Sequence, residues 1–469
     1  MTQKMLRGLS EIRSHFLRDD TPTWSVCASP YTLMGMDEWV RGFRFISYSD
    51  CFEGQHPRVY APPRNERAVF PYETLEELNA MLLRRPDVQA RILARGPGRV
   101  AMMLFDEESE ELCRYLGQEI VFNPAELRRR VDDKLESTRL AESAGVPCVP
   151  NALGPVRSWQ DLQALAGHLG PHLVIQTAFG DSGTTTYFVS SPDDLEKHIK
   201  DIAAAPEVKV MKKIRCFQAA VEGCVTSAGT IVGPMLTEIV GFRELTPYPG
   251  GWSGNEVAPM AFSEAQRAAA CKGTEAFGEV LRKLGWRGYF EIDWLVDLDD
   301  GSIYLGEVNP RITGASPLTN LAAFAHADAP LFLFHLLEFS NIPFELDVAA
   351  LNRRWAHPMH SDTWGQLIIK HTESHRAEVL EAPRSGAWHC DSSGTLSWKH
   401  MQTHRRTVDD ENDAFYLRLA APGDTVEPGD DLGVLVVRGR LMDDARQLTT
   451  RAKVWTAGIR GQFRIRPLE

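Results

Sequence analysis

The segment Tyr289-Phe-Glu-Ile-Asp-Trp-Leu-Val-Asp-Leu-Asp-Asp-Gly-Ser-Ile-Tyr-Leu-Gly-Glu-Val-Asn-Pro-Arg311 contains two apolar runs separated by an acidic turn that includes glycine. This pattern predicts two strands joined as a hairpin. Because side chains alternate along a strand, Asp293 shares a face with Glu291, and Glu307 shares a face with Asn309. Folding of the hairpin can therefore bring these polar groups together.

The polar groups of this hairpin form a candidate metal site made of Asp293, Glu307 and Asn309. Carboxylate and amide oxygens suit Mg²⁺ that bridges nucleotide phosphates, with Mn²⁺ as the alternative ion. A solvated acidic hairpin is the plain alternative, but unpaired acids are costly in an apolar stretch such as the one around Glu307. Arg311 follows on the same side and could bind a substrate carboxylate or a transferring phosphoryl group. Whether Glu291 also binds metal stays open.

The 469 residues are enough for about three packed units. Residues 1–125 alternate short apolar runs with helical patterns, which predicts a parallel α/β layer. Residues 126–205 contain a helix and two strands joined by a turn rich in glycine, serine and threonine. Residues 206–345 contain strands, a long amphipathic helix and the acidic hairpin, and residues 346–469 are β-rich. The predicted fold class is α/β (α+β).

Composition excludes several classes of function. The net charge of -12 repels nucleic acid and anionic membranes. The charged N-terminus lacks a signal peptide and no apolar run reaches membrane-spanning length, so we expect a cytoplasmic protein with neither nucleic acid nor membrane as partner. The eight cysteines are scattered without a Cys-x-x-Cys pair, which favours reduced thiols. A P-loop, a Gly-x-Gly-x-x-Gly motif and a Gly-x-Ser-x-Gly motif are all missing from the sequence.

The segment Glu307-Val-Asn-Pro-Arg311, with an acidic residue upstream, resembles the metal-binding end of the ATP-grasp superfamily. Two further segments agree in the expected order. Asp133–Pro150 resembles the entry to the ATP site of biotin carboxylases, in which the counterpart of Lys134 contacts nucleotide phosphate. Val174–Thr186 is similar to the loop that closes over the triphosphate. The resemblance implies ATP as the nucleotide and an ATP-grasp fold, preceded by a Rossmann-like domain and followed by a small β-rich domain.

The glycine loop and the strand before it carry predicted phosphate contacts. Glycines let the backbone approach phosphate oxygens closely, while hydroxyl and N–H groups donate hydrogen bonds. The loop residues concerned are Gly180, Asp181, Ser182, Gly183, Thr184 and Thr185. Gln176 stands where the superfamily usually has a lysine, and it brings no charge to the triphosphate. We predict that another cation replaces that lysine, with Lys212, Lys213 and Arg243 as candidates.

The segment that follows resembles the strand that crosses the adenine pocket. Lys212 occupies the position where relatives have an acidic side chain. Adenine contacts are therefore expected from the backbone of Lys213, Ile214 and Arg215.

The residues after Arg311 favour one reaction over another. Ala315 stands where biotin carboxylases carry a catalytic glutamate, and losing a general base costs about 10²–10⁴ in rate. The segment Arg311–Ser316 instead resembles amino-acid and peptide ligases. The sequence therefore predicts a carboxylate–amine ligase that uses an acyl phosphate, with Arg311 and Lys134 as catalytic groups. A biotin-carboxylase-like enzyme and a non-catalytic nucleotide sensor are the alternatives.

The loop from Thr246 to Glu256 is a candidate pocket for small-molecule carboxylate and amine substrates. Its glycines, prolines and polar side chains follow directly after Arg243. We predict that Arg243 binds a carboxylate and Glu256 an amine. The other predicted substrate contacts are Trp252, Asn255, Arg311 and Ser316. A structural turn with Trp252 packed on the sheet is the alternative, and the resemblance alone suggests a homodimer.

Overall fold

The structure is a computed structural model that describes residues 5–63, 72–180, 185–321, 328–356, 363–404 and 408–468. Within these ranges no helix is both long and apolar enough to cross a membrane. Helices and strands are both abundant, and the predicted α/β class is confirmed. Short 3₁₀ turns occur at Pro30–Leu33, Gly167–Leu169 and Pro259–Ala261.

The N-terminal part is a parallel α/β layer, as its alternating pattern predicts. Its strands are β1 (Leu6–Arg7), β2 (Thr23–Cys27), β3 (Phe43–Ser47), β4 (Val59–Tyr60), β5 (Gly98–Ala101) and β6 (Gln118–Ile120). Its helices are α1 (Gly8–Phe16), α2 (Met36–Trp39), α3 (Leu75–Arg84), α4 (Pro86–Leu93) and α5 (Glu107–Tyr115). The sheet order is β4-β3-β2-β5-β6, and every pair in it is parallel.

The second part is a small antiparallel sheet covered by helices on one face. Its helices are α6 (Ala125–Asp132), α7 (Lys134–Ser143), α8 (Trp159–Ala166), α9 (Pro192–Glu196) and α10 (Ile199–Ala204). Its strands are β7 (Asn151–Gly154), β8 (Leu173–Gln176), β9 (Thr186–Val189) and β10 (Val208–Lys212), in the order β7-β10-β8-β9. We call this the lid sheet. It extends to Lys212, past the boundary at residue 205 that the sequence predicts, because β10 pairs with both β7 and β8.

The third part carries the acidic hairpin in an antiparallel sheet. Its strands are β11 (Cys216–Thr226), β12 (Gly229–Val232), β13 (Leu236–Val240), β14 (Trp252–Val257), β15 (Gly288–Asp297), β16 (Ile303–Asn309) and β17 (Phe344–Glu345). Its helices are α11 (Glu264–Lys283), α12 (Ser316–Leu321), α13 (Leu331–Phe339) and α14 (Val348–Ala356). A capping box at Ser263 and Gln266 starts α11, which packs on the back of the hairpin with Gly273 against the Trp294 ring.

The β-rich C-terminal part joins the same sheet. Its elements are β18 (Trp364–Lys370), β19 (Ala377–Glu381), β20 (Gly386–Cys390), β21 (Leu396–His400), β22 (Asp413–Arg418), β23 (Thr425–Val426), β24 (Asp431–Arg438), α15 (Thr450–Arg460) and β25 (Arg464–Pro467). Strand β14 pairs with β18, so one sheet of eleven strands spans the boundary predicted near residue 346.

Candidate functional site

The acidic hairpin brings the predicted metal ligands together. In the β15–β16 register Asp293 lies opposite Glu307, and Glu291 lies opposite Asn309. The register shifts next to this pair, where Gly306 is the extra residue of a bulge. The Asn309 amide donates from Nδ2 to Asp293 Oδ2 at 3.1 Å.

The two facing carboxylates destabilise each other's charge. Burial raises the pKa of Asp293 to about 7, and the charge of Glu307 acts in the same direction. Arg311, the Asn309 amide and Lys134 oppose this shift. A divalent cation between the carboxylates would relieve the repulsion.

The oxygen donors of this site would bind Mg²⁺ with only two or three protein ligands. Within the described ranges, no cluster of three or more His, Cys, Asp or Glu side chains converges as metal ligands. The predicted set has two carboxylates, Asp293 and Glu307, and rotation of the Asn309 amide would present its Oδ1 as a third oxygen. Mg²⁺ is commonly bound by one or two carboxylates, with phosphates and water completing its coordination.

Lys134 connects the hairpin to the glycine loop. Asp133 caps the start of α7 by accepting from the N–H groups of Leu135 and Glu136, at 2.8 Å and 3.1 Å. This cap directs Lys134, whose Nζ lies 3.0 Å from Glu307 Oε1 and also donates to the Gly180 carbonyl. The Lys134 side chain is only 6% exposed. A cation is therefore held beside the two carboxylates.

The glycine loop is described only at its edges, since Asp181, Ser182, Gly183 and Thr184 lie outside the described residues. Gly180 has a φ of +144°, and a Cβ at this position would overlap the Thr185 side chain. Glycine is therefore required where the chain enters the loop. Where β8 and β9 pair at the base of the loop, Gln176 Nε2 donates to Thr186 Oγ1 at 3.2 Å.

Two cross-strand rows cover the face of the lid sheet that is turned away from its helices. The polar row consists of Lys209, Gln176 and Thr186, and the apolar row of Met211, Val174 and Phe188. The intervening residues, such as Ile175 and Val210, pack into the core under the helices. Phe188, on the edge strand β9, is 61% exposed, whereas Lys209 and Met211 on β10 are buried.

Lys209 is a residue that the sequence analysis missed. Its side chain is buried, and its Nζ donates to the Gly306 carbonyl, one residue from Glu307, at 3.4 Å. A lysine within an otherwise apolar strand was the available signal, since a buried ammonium needs a partner. Its position opposite Gln176 depends on the register between strands that are distant in sequence.

The segment between β10 and β11 offers backbone groups for a nucleobase. Lys213 N–H donates to the His172 carbonyl at 2.9 Å, and the Arg215 carbonyl accepts from Leu298 N–H at 2.8 Å. The Lys213 carbonyl and the Arg215 N–H form no hydrogen bond with any described residue. An acceptor and a donor are thus available close together, as the Watson–Crick edge of adenine requires.

Comparisons with known proteins bear on the fold of the chain. No family model matches the chain. The carbamoyl phosphate synthase large chain of Methanothermobacter thermautotrophicus is 24% identical over 263 residues, which cover 54% of this chain and 24% of that protein. The bifunctional enzyme MurC/Ddl of Chlamydia pneumoniae is 26% identical over 210 residues, which cover 42% of this chain and 25% of that protein. The chain thus spans about a quarter of the length of these curated relatives.

Solved structures align over almost the whole chain. Biotin carboxylase from Campylobacter jejuni has a TM-score of 0.58 at 13% identity, covering 96% of this chain and 93% of that one. Carboxyaminoimidazole ribonucleotide synthase from Aspergillus clavatus, complexed with ATP, has a TM-score of 0.53 at 14% identity, covering 90% and 94%. The chain has the ATP-grasp fold. The biotin carboxylase domain dimer of Hydrogenobacter thermophilus 2-oxoglutarate carboxylase, solved with MgADP and bicarbonate, has a TM-score of 0.59 at 12% identity, covering 89% and 86%.

Arg311 lies just after the hairpin strand β16. It is half-buried, and its charge lowers the pKa of Asp293. Among the described residues its guanidinium forms no hydrogen bond or ion pair. It is therefore available to bind an anion.

Trp252 packs on the segment that follows Arg311. A Cβ on Gly314 would overlap the Trp252 ring, so the indole lies directly on that glycine. The Gly314 carbonyl is held by Tyr31 Oη at 2.9 Å and by Gln366 Nε2 at 2.5 Å. The predicted pocket loop and the segment after Arg311 are thus in contact.

The structure contradicts the predicted role of Glu256. Asp293 pairs through Ala220 with Leu236, whereas the next residue, Thr237, pairs with Glu256. Because neighbours alternate, Glu256 projects from the opposite face of the sheet. It is fully buried there and cannot reach a substrate amine.

The Glu256 carboxylate has structural partners in the C-terminal part. It accepts from the N–H of Leu441, from the N–H of Met442 at 2.9 Å and from Thr237 Oγ1 at 3.1 Å. Asn255 is on the face that carries Asp293 but is also fully buried. Its Nδ2 donates to the Thr237 carbonyl at 3.3 Å and its Oδ1 accepts from Gln366 at the same distance, so it supports the pocket from behind.

Two further predicted substrate contacts are also displaced. Arg243 is exposed beyond the end of β13, where its neighbour Glu244 pairs with Lys453 of α15 at 3.2 Å. Arg243 forms no described contact with the lid sheet or the hairpin, so it does not replace the missing lysine. Ser316 is fully buried and donates to Glu222 Oε1 at 2.6 Å.

Glu222, Glu238 and Glu291 form a group of acids near the hairpin, of which the sequence analysis named only Glu291. Glu222 lies opposite Glu291, and burial raises the pKa of both carboxyls. Burial and the charges of Asp293 and Glu307 raise the pKa of Glu238 as well. Glu222 stands in the apolar run Ala219-Ala-Val-Glu-Gly-Cys-Val, which was the sequence signal for a buried acid. The raised pKa values favour the neutral form of all three carboxyls.

Proposed function

We propose that the protein is an ATP- and Mg²⁺-dependent carboxylate–amine ligase that activates a small carboxylic acid, an amino acid, as an acyl phosphate. The observation that carries this proposal is the pairing of Asp293 with Glu307 beside the buried ammonium of Lys134, directly under the lid sheet. Facing carboxylates with an adjacent cation are suited to an ion that is shared with phosphate oxygens.

The lid sheet has an apolar row that suits the base of a nucleotide and a polar row that suits its phosphates. Its apolar row of Met211, Val174 and Phe188 suits the faces of adenine, and the free backbone groups at Lys213 and Arg215 suit the adenine edge. The polar row is on the side of the hairpin, where phosphates would lie. Relatives solved with ATP and with MgADP support the same choice of ligand.

The chemistry follows from the charges around the hairpin. Bound Mg²⁺ would neutralise the phosphoryl group and orient it for transfer. Lys134 would stabilise the oxygens between which the phosphoryl group moves, and Arg311 would hold the carboxylate that attacks it. A carboxylate oxygen displaces ADP to give the acyl phosphate. The amine nitrogen then attacks the acyl carbon, inorganic phosphate leaves, and the amine loses a proton.

The absence of an acid at position 315 supports an amine acceptor. Ala315 is buried, and its N–H donates to Thr313 Oγ1 at 3.1 Å. A carboxylase of the biotin type would need a general base at this place.

A bicarbonate-activating carboxylase is the second candidate. The observation that favours it is the identity of the aligned structures, which are named as carboxylases or as a carboxyaminoimidazole ribonucleotide synthase. Bicarbonate is a small carboxylate-like anion, and Arg311 could bind it in the same manner.

One experiment separates these possibilities. Purified protein is incubated with MgATP and pooled amino acids, or with MgATP, bicarbonate and biotin, and the products are followed by phosphate release and mass spectrometry. Amide products with ADP and phosphate would support the ligase, whereas phosphate release that requires bicarbonate would favour the carboxylase. MgATP binding without turnover in either mixture would contradict both and support a nucleotide sensor. Glu307→Gln should abolish turnover, while Lys200→Gln, an exposed change on α10, should not.

A further inference from the structure

Lys209 is a buried cation with spare hydrogen-bonding capacity. Its side chain is 1% exposed, and an ammonium group has three donors. One of these reaches the Gly306 carbonyl at 3.4 Å. Among the described residues it forms no ion pair. A buried ammonium without an anionic partner is costly, so its position calls for a ligand that supplies acceptors.

The neighbour of Lys209 on the next strand has the same unmet need. Gln176 lies directly opposite Lys209, on the face that carries the polar row. Its Nε2 donates to Thr186, while its Oε1 is buried without a hydrogen-bond partner among the described residues. Two adjacent side chains thus point polar atoms into the space between the lid sheet and the hairpin.

The charges around this space favour an anion. Burial lowers the pKa of Lys209, and the charge of Lys134 acts in the same direction, while Glu307 on the hairpin opposes the shift. Lys134 already has Glu307 as an ion-pair partner, whereas Lys209 has none. Phosphate oxygens at this position would give Lys209 the acceptors that it lacks.

We propose that Lys209 supplies the second phosphate-binding ammonium of the nucleotide site. Lys209 lies on β10 directly opposite Gln176 on β8, and it provides the positive charge that Gln176 lacks. This inference rests on the proposed nucleotide site. The other cations near the lid are less well positioned for the task. Lys212 and Lys213 are exposed at the end of β10, with the Lys213 ammonium 5.2 Å from the centre of the Phe188 ring, in the apolar row.

Moving the charge between the two strands tests the proposal. The affinities for MgADP and for adenosine are measured by isothermal titration calorimetry for wild type, Lys209→Gln and the double variant Lys209→Gln/Gln176→Lys. Lys200→Gln is the matched control, since it removes an exposed lysine from α10. Circular dichroism and urea unfolding without nucleotide report whether each variant folds.

A charge-assisted hydrogen bond to phosphate implies that Lys209→Gln weakens MgADP binding about tenfold to a hundredfold. Adenosine binding should stay within about twofold, because adenosine has no phosphate. The double variant should regain MgADP affinity to within about threefold of wild type, since the charge returns to the same row. A purely structural lysine would not be rescued in this way.

Unchanged MgADP affinity in Lys209→Gln would overturn the inference while leaving the nucleotide site intact. Failure of the double variant to recover, with both variants folded, would also overturn it. Lys209→Met keeps the apolar stem without the charge and replaces the glutamine variant where that one does not fold. A wild-type protein that binds neither MgADP nor adenosine would instead refute the proposed function, which makes the two failures distinguishable.

Discussion

Replacing Lys134 with methionine should destabilise the metal-free protein and make its stability depend on Mg²⁺. The substitution keeps most of the buried volume and removes the ammonium, which lies 3.0 Å from Glu307 Oε1. The negative charges of Glu307 and Asp293 would then face each other with one positive charge fewer beside them, although Arg311 still lowers the pKa of Asp293. A divalent cation could take over the role of the missing ammonium.

The size of the effect follows from the burial of the two partners. At an effective dielectric constant near 20, two unit charges 3.0 Å apart attract by about 5.5 kcal/mol. The side chains are 6% and 30% exposed for Lys134 and Glu307, so solvent screens part of this attraction and desolvation of the lysine offsets more. We expect a loss of about 2 kcal/mol in the free energy of unfolding, between the values typical of exposed and of buried pairs.

Urea unfolding at pH 8 with EDTA, for wild type, Lys134→Met, Glu307→Gln and the double variant, measures the coupling between the two side chains. We expect a coupling energy of about 1–2 kcal/mol. Adding MgCl₂ should restore part of the stability of Lys134→Met and little of that of Glu307→Gln, which lacks a metal ligand. Lys200→Met, on an exposed helix surface, should stay within about 0.5 kcal/mol of wild type.

A coupling energy below about 0.5 kcal/mol would refute the reasoning, because it would mean that solvent screens the pair as it does at an open surface. A response to Mg²⁺ that is identical in wild type and in Glu307→Gln would refute the assignment of Glu307 as a metal ligand.

Three further predictions concern other parts of the site and its support. His335 is fully buried and neutral, with Nδ1 accepting from Tyr289 N–H at 3.0 Å, and burial lowers its pKa to about 3. The unfolded chain binds that proton below about pH 6.5, so stability falls as pH drops from about 6.5 towards 3, by up to about 1.4 kcal/mol per pH unit, and urea unfolding with His335→Gln as reference measures this component. Asp293→Asn should gain stability relative to wild type as pH rises from about 4 to 7 in EDTA, because over this range the unfolded chain releases the Asp293 proton while the folded protein, in which the pKa is raised to about 7, retains it. The same titrations in MgCl₂ should show no metal response in the variant. Gly314→Ala should displace the Trp252 ring at a cost of about 1–3 kcal/mol and reduce substrate-dependent phosphate release while MgADP affinity stays unchanged, as calorimetry and tryptophan fluorescence can test.

Each of these has a contrary outcome. Equal acid sensitivity in His335→Gln and wild type would show that other groups dominate the pH dependence. An Asp293→Asn variant that is less stable than wild type at pH 8 in EDTA would mean that the carboxylate is already satisfied by its neighbours. Loss of MgADP binding in Gly314→Ala would place Trp252 in the nucleotide site rather than in the substrate pocket.

Local sequence was sufficient for the elements that depend on near neighbours in the chain. Strand alternation on both sides of a short turn predicted that the polar groups of the hairpin would come together. The bulge at Gly306 then sets Glu307 opposite Asp293, because the register of the turn alone would put Gly306 there. The cap at Asp133 likewise fixed the start of α7 and the direction of Lys134. The ATP-grasp fold, recognised from these segments in order, is confirmed.

Local sequence failed wherever the answer depended on strands far apart in the chain. Asn255 and Glu256 look equally suited to a pocket, and only the pairing of β13 with β14 decides that Glu256 faces the C-terminal core. The register between β8 and β10 likewise brings Lys209 opposite Gln176, although the two residues are 33 positions apart in the chain (209 minus 176).

The sequence by itself therefore determined the fold, the acidic hairpin and the absence of a lysine at position 176. Only the tertiary structure decided which cation lies next to Gln176, and which predicted site residues are buried in the core with structural hydrogen-bond partners. The physical reason is that alternation makes each residue's face a local property, whereas the neighbour across a sheet is set by long-range register. Lys209 could be recognised as a buried lysine from its strand, but its partner Gln176 could not.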